Sequence, residues 1–355
     1  MTQKKWKENF IRIEPYSAGE QPESDDVIKL NTNENPYPPA PGVAAALRAA
    51  GIDGLRRYPQ ADGKDLRLAL AAARGTDPAS VFVANGSDEA LALAFRAFFN
   101  SKKPVLFPDV SYSFYPVWCD LFGIPYRRPA TDGDFRIRVR DYAAENGGVV
   151  LANPNAPTGI ALTLFEIEEI LSSNRDSVVI VDEAYVDFGA CSAIGLISKY
   201  ENLLVTQSFS KGRALAGLRL GAAFGCADLI AVLGAVKNAF NSYLVDSVAA
   251  AAGVASLADG AYFEKRTAQV IATRERFAAV LRGMGFSVTD SAANFLFVTH
   301  ADLDAAALMR YLKGRGILVR HFSLPRIERY LRITVGTDAE MDRLTEEISC
   351  FLQKS

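Results

Sequence analysis

Ser177-Val178-Val179-Ile180-Val181-Asp182-Glu183-Ala184-Tyr185 sets four aliphatic residues in a row directly before two carboxylates. A strand that is apolar on both faces belongs inside a parallel sheet covered by helices on either side. The acid at its end, Asp182, then points to the crevice beyond the carboxyl ends of the strands, where such sheets bind ligands. A structural acid capping a loop is the competing reading. Outward from this stretch the same alternation repeats. Val81-Phe82-Val83 precedes a helix striped by Leu91, Ala94, Phe95 and Phe98, and Val105-Leu106-Phe107 precedes a helix through Trp118. Gly148-Val149-Val150-Leu151-Ala152 precedes a helix opened by the capping box Thr163-x-x-Glu166, and Leu203 to Thr206 and Leu220 to Phe224 complete the series. The expected fold is α/β, a large domain whose mostly parallel central sheet is flanked by helices.

From Ala227 onward the character changes to long Ala-rich helices at 227–238, 243–256 and 260–283. Short strands then return at Phe286-Ser287-Val288, Phe295 to Val298, Ile317-Leu318-Val319 and Tyr330 to Val335. A last helix is announced by Thr337-x-x-Glu340 and striped by Met341, Leu344, Ile348 and Phe351. This reads as a smaller α+β domain at 259–355, joined by the 260–283 helix to a large domain at 36–258. Residues 1–35 form an arm that contributes Val27 to Leu30 to the small domain.

The chain has 355 residues, 49% of them hydrophobic and 23% charged, with a formal net charge of −2. That is ample for a large core, and it gives no general electrostatic drive toward nucleic acid or an anionic membrane. No apolar run is long enough to span a bilayer. The stretch Met1 to Lys7 has no apolar core of the secretory type, so a cytoplasmic protein is expected. Cys119, Cys191, Cys226 and Cys350 lie far apart and read as reduced thiols. The two histidines, His300 and His321, sit in no metal-ligand or serine-elbow pattern, so no metal site is expected and proton transfer falls to lysine, tyrosine or a carboxylate.

Several residues at successive strand ends carry chemistry. Gly86-Ser87-Asp88 sits at a strand-to-helix turn, which is either a plain turn or an anion site at a helix N-terminus. Ser111-Tyr112 lies in an aromatic loop, and Asn153-Pro154-Asn155-Ala156-Pro157-Thr158-Gly159 is a rigid proline loop. Ser208-Phe209-Ser210-Lys211 leads to Arg219. An amine in so apolar a setting is either a surface-loop lysine or one that forms an imine with an aldehyde cofactor. Gathered in one crevice, these groups suit an aldehyde-bearing pyridine phosphate.

In this order the motifs resemble the fold-type I, pyridoxal-phosphate-dependent aminotransferases of class I and II. Leu30-Asn31-Thr32-Asn33-Glu34-Asn35-Pro36, Arg57-Tyr58-Pro59, Ala214 to Arg219 and Tyr330 to Gly336 bring the likeness nearest to the branch that acts on histidinol phosphate. The resemblance implies pyridoxal phosphate as cofactor and amino transfer between L-histidinol phosphate and 2-oxoglutarate. Decarboxylation of threonine phosphate and transamination of aromatic amino acids are alternatives on the same scaffold, and a cofactor-free regulatory protein is the non-enzymatic one. It further implies that Lys211 anchors the cofactor and carries the proton, that Asp182 pairs with the ring nitrogen, and that Asn155 and Tyr185 bond the ring's phenolic oxygen. Tyr112 would stack on the ring, while Gly86, Ser87, Asp88, Ser208, Ser210 and Arg219 would hold the phosphate. Tyr58 would reach the phosphate of a neighbouring subunit, which makes a homodimer with shared sites. Arg332 would grip a substrate carboxylate, and Arg320, Tyr16 and Asn33 would meet the substrate phosphate. One departure is Ala156, where the family often has asparagine; its side chain is not expected to touch the cofactor.

Overall fold

A computed structural model describes residues 5–22 and 26–354; residues 1–4, which hold most of the stretch read above for a secretory signal, lie outside the described residues. Seven strands form one sheet in the order Val81–Ala84, Gly221–Gly225, Leu203–Ser208, Val179–Asp182, Gly148–Ala152, Val105–Leu106, Tyr126–Arg127. All pairings are parallel except those of Gly221–Gly225, which runs antiparallel to both neighbours. The strand alternation sorts the core into two layers. Val149, Leu151, Val179, Val181 and Val205 face one side, under the helices Lys64–Arg74, Leu164–Ser173 and Ser247–Ala258. Val150, Ile180, Leu204 and Ala223 face the other, under Ser87–Phe98, Phe114–Phe122 and Ala227–Phe240. Ile180 is fully buried, which stabilises the sheet by about 2–3 kcal/mol for this side chain alone. The capping box at Thr163 is present with both reciprocal bonds and fixes where the Leu164–Ser173 helix begins.

A second, five-stranded sheet has the order Ile28–Leu30, Ile317–His321, Leu331–Thr334, Phe295–His300, Phe286–Val288. The chain's first strand joins it in parallel, next to Ile317–His321. Leu30, Leu296, Val298, Ile333, Leu312, Met341 and Leu344 build its core with the helices Ala305–Gly314 and Asp338–Leu352. The 24-residue helix Gly260–Gly283 runs from the seven-stranded part to this one, ending with Phe277, Ala278 and Leu281 in the second core. Arg274 on that helix is buried and donates to the carbonyls of Phe188 and Ala293, one beside each sheet. Among the described residues no helix is long and apolar enough to cross a membrane.

Candidate active site

A cavity of about 630 Å³ lies beyond the carboxyl ends of the central parallel strands, and Arg320, Arg332 and the loop 31–34 close it from the second sheet. Asp182 lies at the end of its strand and is 4% exposed. Its Oδ2 accepts from the Tyr115 hydroxyl at 2.9 Å and its Oδ1 from the Thr206 hydroxyl at 3.3 Å. Burial raises its pKa to about 6, and the Tyr115 and Thr206 bonds oppose that rise. A cationic partner in the cavity would return Asp182 to its charged form.

Lys211 follows the strand Leu203–Ser208 by three residues. Its Nζ donates to the Thr32 carbonyl at 3.0 Å and lies 5.8 Å from the centre of the Tyr185 ring. Burial, and after it the nearby charge of Arg332, lowers the amine to about 8. The lysine is therefore partly neutral near physiological pH and can act as a nucleophile.

Arg219 is held in the left-handed region at φ 53. Its guanidinium donates to the Ser210 hydroxyl and to the Ala216 carbonyl, and pairs with Asp88 at 3.4 Å. It lies across the start of the helix Ser87–Phe98, whose first N–H groups have no partner within the helix. Gly86, at φ 87, makes that approach possible, since a Cβ there would stand 2.8 Å from Arg219 Nη2. Ser87, Asp88, Ser208 and Ser210 line the same end of the cavity. Helix start, hydroxyls and guanidinium together form an anion cradle.

The second sheet brings another cationic group. Arg320 and Arg332 are direct cross-strand partners, so their side chains share one face. Arg332 donates to the Asn31 carbonyl at 2.9 Å, while its Nε is buried with no partner. Arg320 donates to the carbonyls of Ser17 and Ala18 and so ties down the N-terminal arm. Tyr16, on that arm, stacks on Phe114 with ring centres 4.2 Å apart. Asn33 sits at φ 57, and its Nδ2 donates to the Tyr185 hydroxyl at 3.0 Å. Thr334 and Asn294 fix Asn33 in turn, through its own side chain and its carbonyl.

Asn155 and Ala156 are placed otherwise than expected. Asn155 is 1% exposed and its amide is fully engaged: Nδ2 donates to the Val110 carbonyl and to Thr158, and Oδ1 accepts from Ser111. No donor of Asn155 is left for a ring oxygen. It is Ala156, expected to stay clear of the cofactor, that lines the cavity with Pro157. Tyr58 is 81% exposed and stacks on Tyr243, away from the cavity. Tyr112 lines the cavity and its hydroxyl donates to Asp88. Tyr115, Thr206, Asn294 and Thr334, which hold Asp182 and Asn33, were not singled out from the sequence. Tyr115 had a signal there, as part of the aromatic loop after Val105-Leu106, and Thr334 another, within the stretch Tyr330 to Gly336.

A lysine of lowered pKa and a buried acid lining one cavity, together with an anion cradle and paired arginines, are the donor set of an enzyme that binds an aldehyde cofactor through its amine. The family model for aminotransferase class I and II matches residues 25–348, and the chain belongs to that family, whose members use pyridoxal phosphate. Within it the chain is 51% identical to a histidinol-phosphate aminotransferase of Lactococcus lactis subsp. cremoris, over 98% of both chains. Among solved structures it resembles the histidinol-phosphate aminotransferase of Sinorhizobium meliloti in complex with pyridoxal-5'-phosphate, with a TM-score of 0.82, 26% identity and 91% of each chain covered. The L-threonine-O-3-phosphate decarboxylase of Porphyromonas gingivalis shares the fold, with a TM-score of 0.79 at 24% identity, over 92% of this chain and 100% of that one.

Proposed function

We propose that this protein transfers an amino group between L-histidinol phosphate and 2-oxoglutarate with pyridoxal phosphate as cofactor, as a step in histidine biosynthesis. The observation that carries the substrate reading is the pair Arg320 and Arg332. Like charges directly opposite on one face of a sheet repel, and a buried guanidinium nitrogen without a partner costs free energy. Both costs are relieved by an anion bound between the arginines. The phosphate of histidinol phosphate and the distal or α-carboxylate of 2-oxoglutarate supply one, and histidinol phosphate has no carboxylate to compete for the position.

The residues present fit the cofactor. Ser87, Ser208, Ser210, Arg219 and the start of the helix Ser87–Phe98 would hold its phosphate, Asp182 its ring nitrogen and Lys211 its aldehyde carbon. When bound, the cofactor supplies an electron-withdrawing ring that acidifies the C–H next to the transferred nitrogen. Lys211, an amine of lowered basicity, would be the base at that carbon. Asp182, ionised against a ring cation and fixed by Tyr115 and Thr206, keeps the ring electron-poor. Tyr112 gives the cavity an aromatic wall. Arg332 and Arg320 orient the substrate through its anionic end, with Tyr16 and Asn33 beside them.

The working form in this reading is a cytoplasmic homodimer. Ile52 (85% exposed), Leu55, Tyr58, Phe240 and Tyr243 are exposed apolar residues, and Tyr58 stacks on Tyr243; a second copy is the partner that would bring Tyr58 to a neighbouring cavity.

The test is a half-reaction with the cofactor-loaded protein, followed by absorbance. L-Histidinol phosphate should convert the bound cofactor to its amino form, and 2-oxoglutarate should restore it. Rapid conversion by phenylalanine but not by histidinol phosphate, or release of carbon dioxide from threonine phosphate, would replace this reading by one of its two relatives.

A further inference from the structure

The order of substituents on the cofactor ring is fixed: phosphate arm, aldehyde carbon, phenolic oxygen, methyl group, nitrogen. With the arm at Arg219 and Ser210, the aldehyde at Lys211 and the nitrogen at Asp182, the phenolic oxygen falls beside Lys211 on the side away from the phosphate. Ala156, Pro157 and Tyr185 are among the residues that line the cavity, and the Tyr185 ring centre lies 5.8 Å from the Lys211 amine. Tyr185 packs with Ala156 and Phe295 in one apolar cluster. The methyl of Ala156 has no proton to give. The neighbouring amide of Asn155 is spent behind the wall on Val110, Thr158 and Ser111. Tyr185 is different: its oxygen already accepts from Asn33 Nδ2, so its own proton is free to be donated. Burial raises the phenol's pKa and keeps that proton in place.

We propose that the cofactor's phenolic oxygen is held in this protein by one side-chain hydrogen bond, from Tyr185 oriented by Asn33, and that Ala156 is the wall position that withholds a second donor. Asn33 is then a positioning residue, locked by Thr334 and Asn294, and its effect on the cofactor runs through Tyr185.

The inference rests on pyridoxal phosphate occupying this cavity, and it has a spectroscopic consequence. A donor to the phenolic oxygen stabilises its negative charge, most strongly once the proton shared between that oxygen and the nitrogen supplied by Lys211 has left. Each donor therefore lowers the pH at which the bound cofactor's absorbance changes. One neutral hydrogen bond corresponds to about one pH unit.

The experiment is an absorbance–pH titration of the loaded protein and its variants, each first shown to unfold cooperatively. Ala156→Asn should lower the midpoint by about one pH unit, and Ala156→Ser should move it the same way. Tyr185→Phe should raise it by a similar amount, and Asn33→Ala should raise it less. An unchanged midpoint in loaded Ala156→Asn or in Tyr185→Phe overturns the proposal. Where Ala156→Asn does not take up cofactor, Ala156→Ser and Tyr185→Phe decide it. A wild-type protein that never develops cofactor absorbance overturns the cofactor reading itself, and this inference with it.

Discussion

Tyr115, wholly buried in the core of the seven-stranded sheet, donates its hydroxyl proton to Asp182 at 2.9 Å and so ties the deepest acid of the cavity to the helix Phe114–Phe122. The bond fixes the carboxylate's direction but does not offset its burial, which leaves Asp182 with a pKa near 6. The folded value lies above the ordinary 3.8, so the folded chain binds more protons between about pH 4 and 6 and loses stability as pH rises through that window. Asp182→Asn should remove the Asp182 share of that decline, leaving the share of Glu183, whose burial raises it to about 7, and stabilise the cofactor-free protein at pH 7 by on the order of 2 kcal/mol. The same variant should lose about a thousandfold in transamination rate, because the ring cation loses its counter-charge. Calorimetric scans across pH, paired with the half-reaction rate, test both. A destabilised yet active variant would contradict the assignment.

Lys211 gives a second prediction, also with a definite sign. Its amine is lowered to about 8, chiefly by burial, and only the neutral amine attacks an aldehyde. Stopped-flow loading with pyridoxal phosphate should accelerate with rising pH and level off above a midpoint near 8, rather than continue to climb toward the ordinary lysine value. Lys211→Ala should show no mass gain after borohydride reduction.

Arg332 should not tolerate lysine. Its planar fork reaches the Asn31 carbonyl while Nε points elsewhere, buried and unpartnered, and an ammonium cannot serve both directions. Arg332→Lys should raise the KM of both histidinol phosphate and 2-oxoglutarate about ten- to a hundredfold. The midpoint of the cofactor's absorbance titration should move far less than in Tyr185→Phe. Steady-state kinetics with each substrate varied separately provides the measurement.

Asn155 should behave as a residue of the framework. Replacing it by alanine removes three hydrogen bonds from a buried amide and strands the Val110 carbonyl and the Ser111 hydroxyl, while Thr158 keeps only its bond from the Ile160 N–H. The cost should be about 2–4 kcal/mol of stability, visible as a lower midpoint in denaturant, while the absorbance midpoint of whatever protein remains folded stays put.

The exposed residues Ile52, Leu55 and Tyr58 make the last prediction. If the proposed dimer forms through these residues, Ile52→Asp should convert it to monomer in sedimentation equilibrium and lower the affinity for the cofactor at the same time, since the proposal has Tyr58 reach the neighbouring phosphate cradle. Loss of the dimer with full cofactor affinity would remove Tyr58 from the site.

Much of this was legible in the sequence because local rules and tertiary structure agree. Three of the four aliphatic residues before Asp182 lie in a central strand, the capping boxes at Thr163 and Thr337 both close, and the helix read at 260–283 is Gly260–Gly283. Strand ends moved by a residue or two, as at Ser177, where pairing rather than composition sets the boundary. The reversed direction of Gly221–Gly225 has no local signature, since an all-buried strand reads alike in either direction. The proline loop hid its own orientation: Asn155 and Ala156 are neighbours without any period to say which one faces the cavity, and the hydrogen bonds to Ser111 and Val110 settle it. The partners Tyr115, Asn294 and Thr334 escaped notice for a related reason, being chosen by contacts distant in the chain.

Those distances matter beyond recognition. The bonds that shape the cavity join Asn33 to Tyr185, Thr32 to Lys211 and Asn31 to Arg332, at sequence separations of 152, 179 and 301 residues. Such contacts carry the largest loop-closure entropy and form late as a chain folds. A nascent or partly folded chain can complete the strand with Asp182 and still lack the carbonyl that holds the reactive amine. The reactive amine is thus held from the side of the second sheet, by the loop that follows the strand Ile28–Leu30.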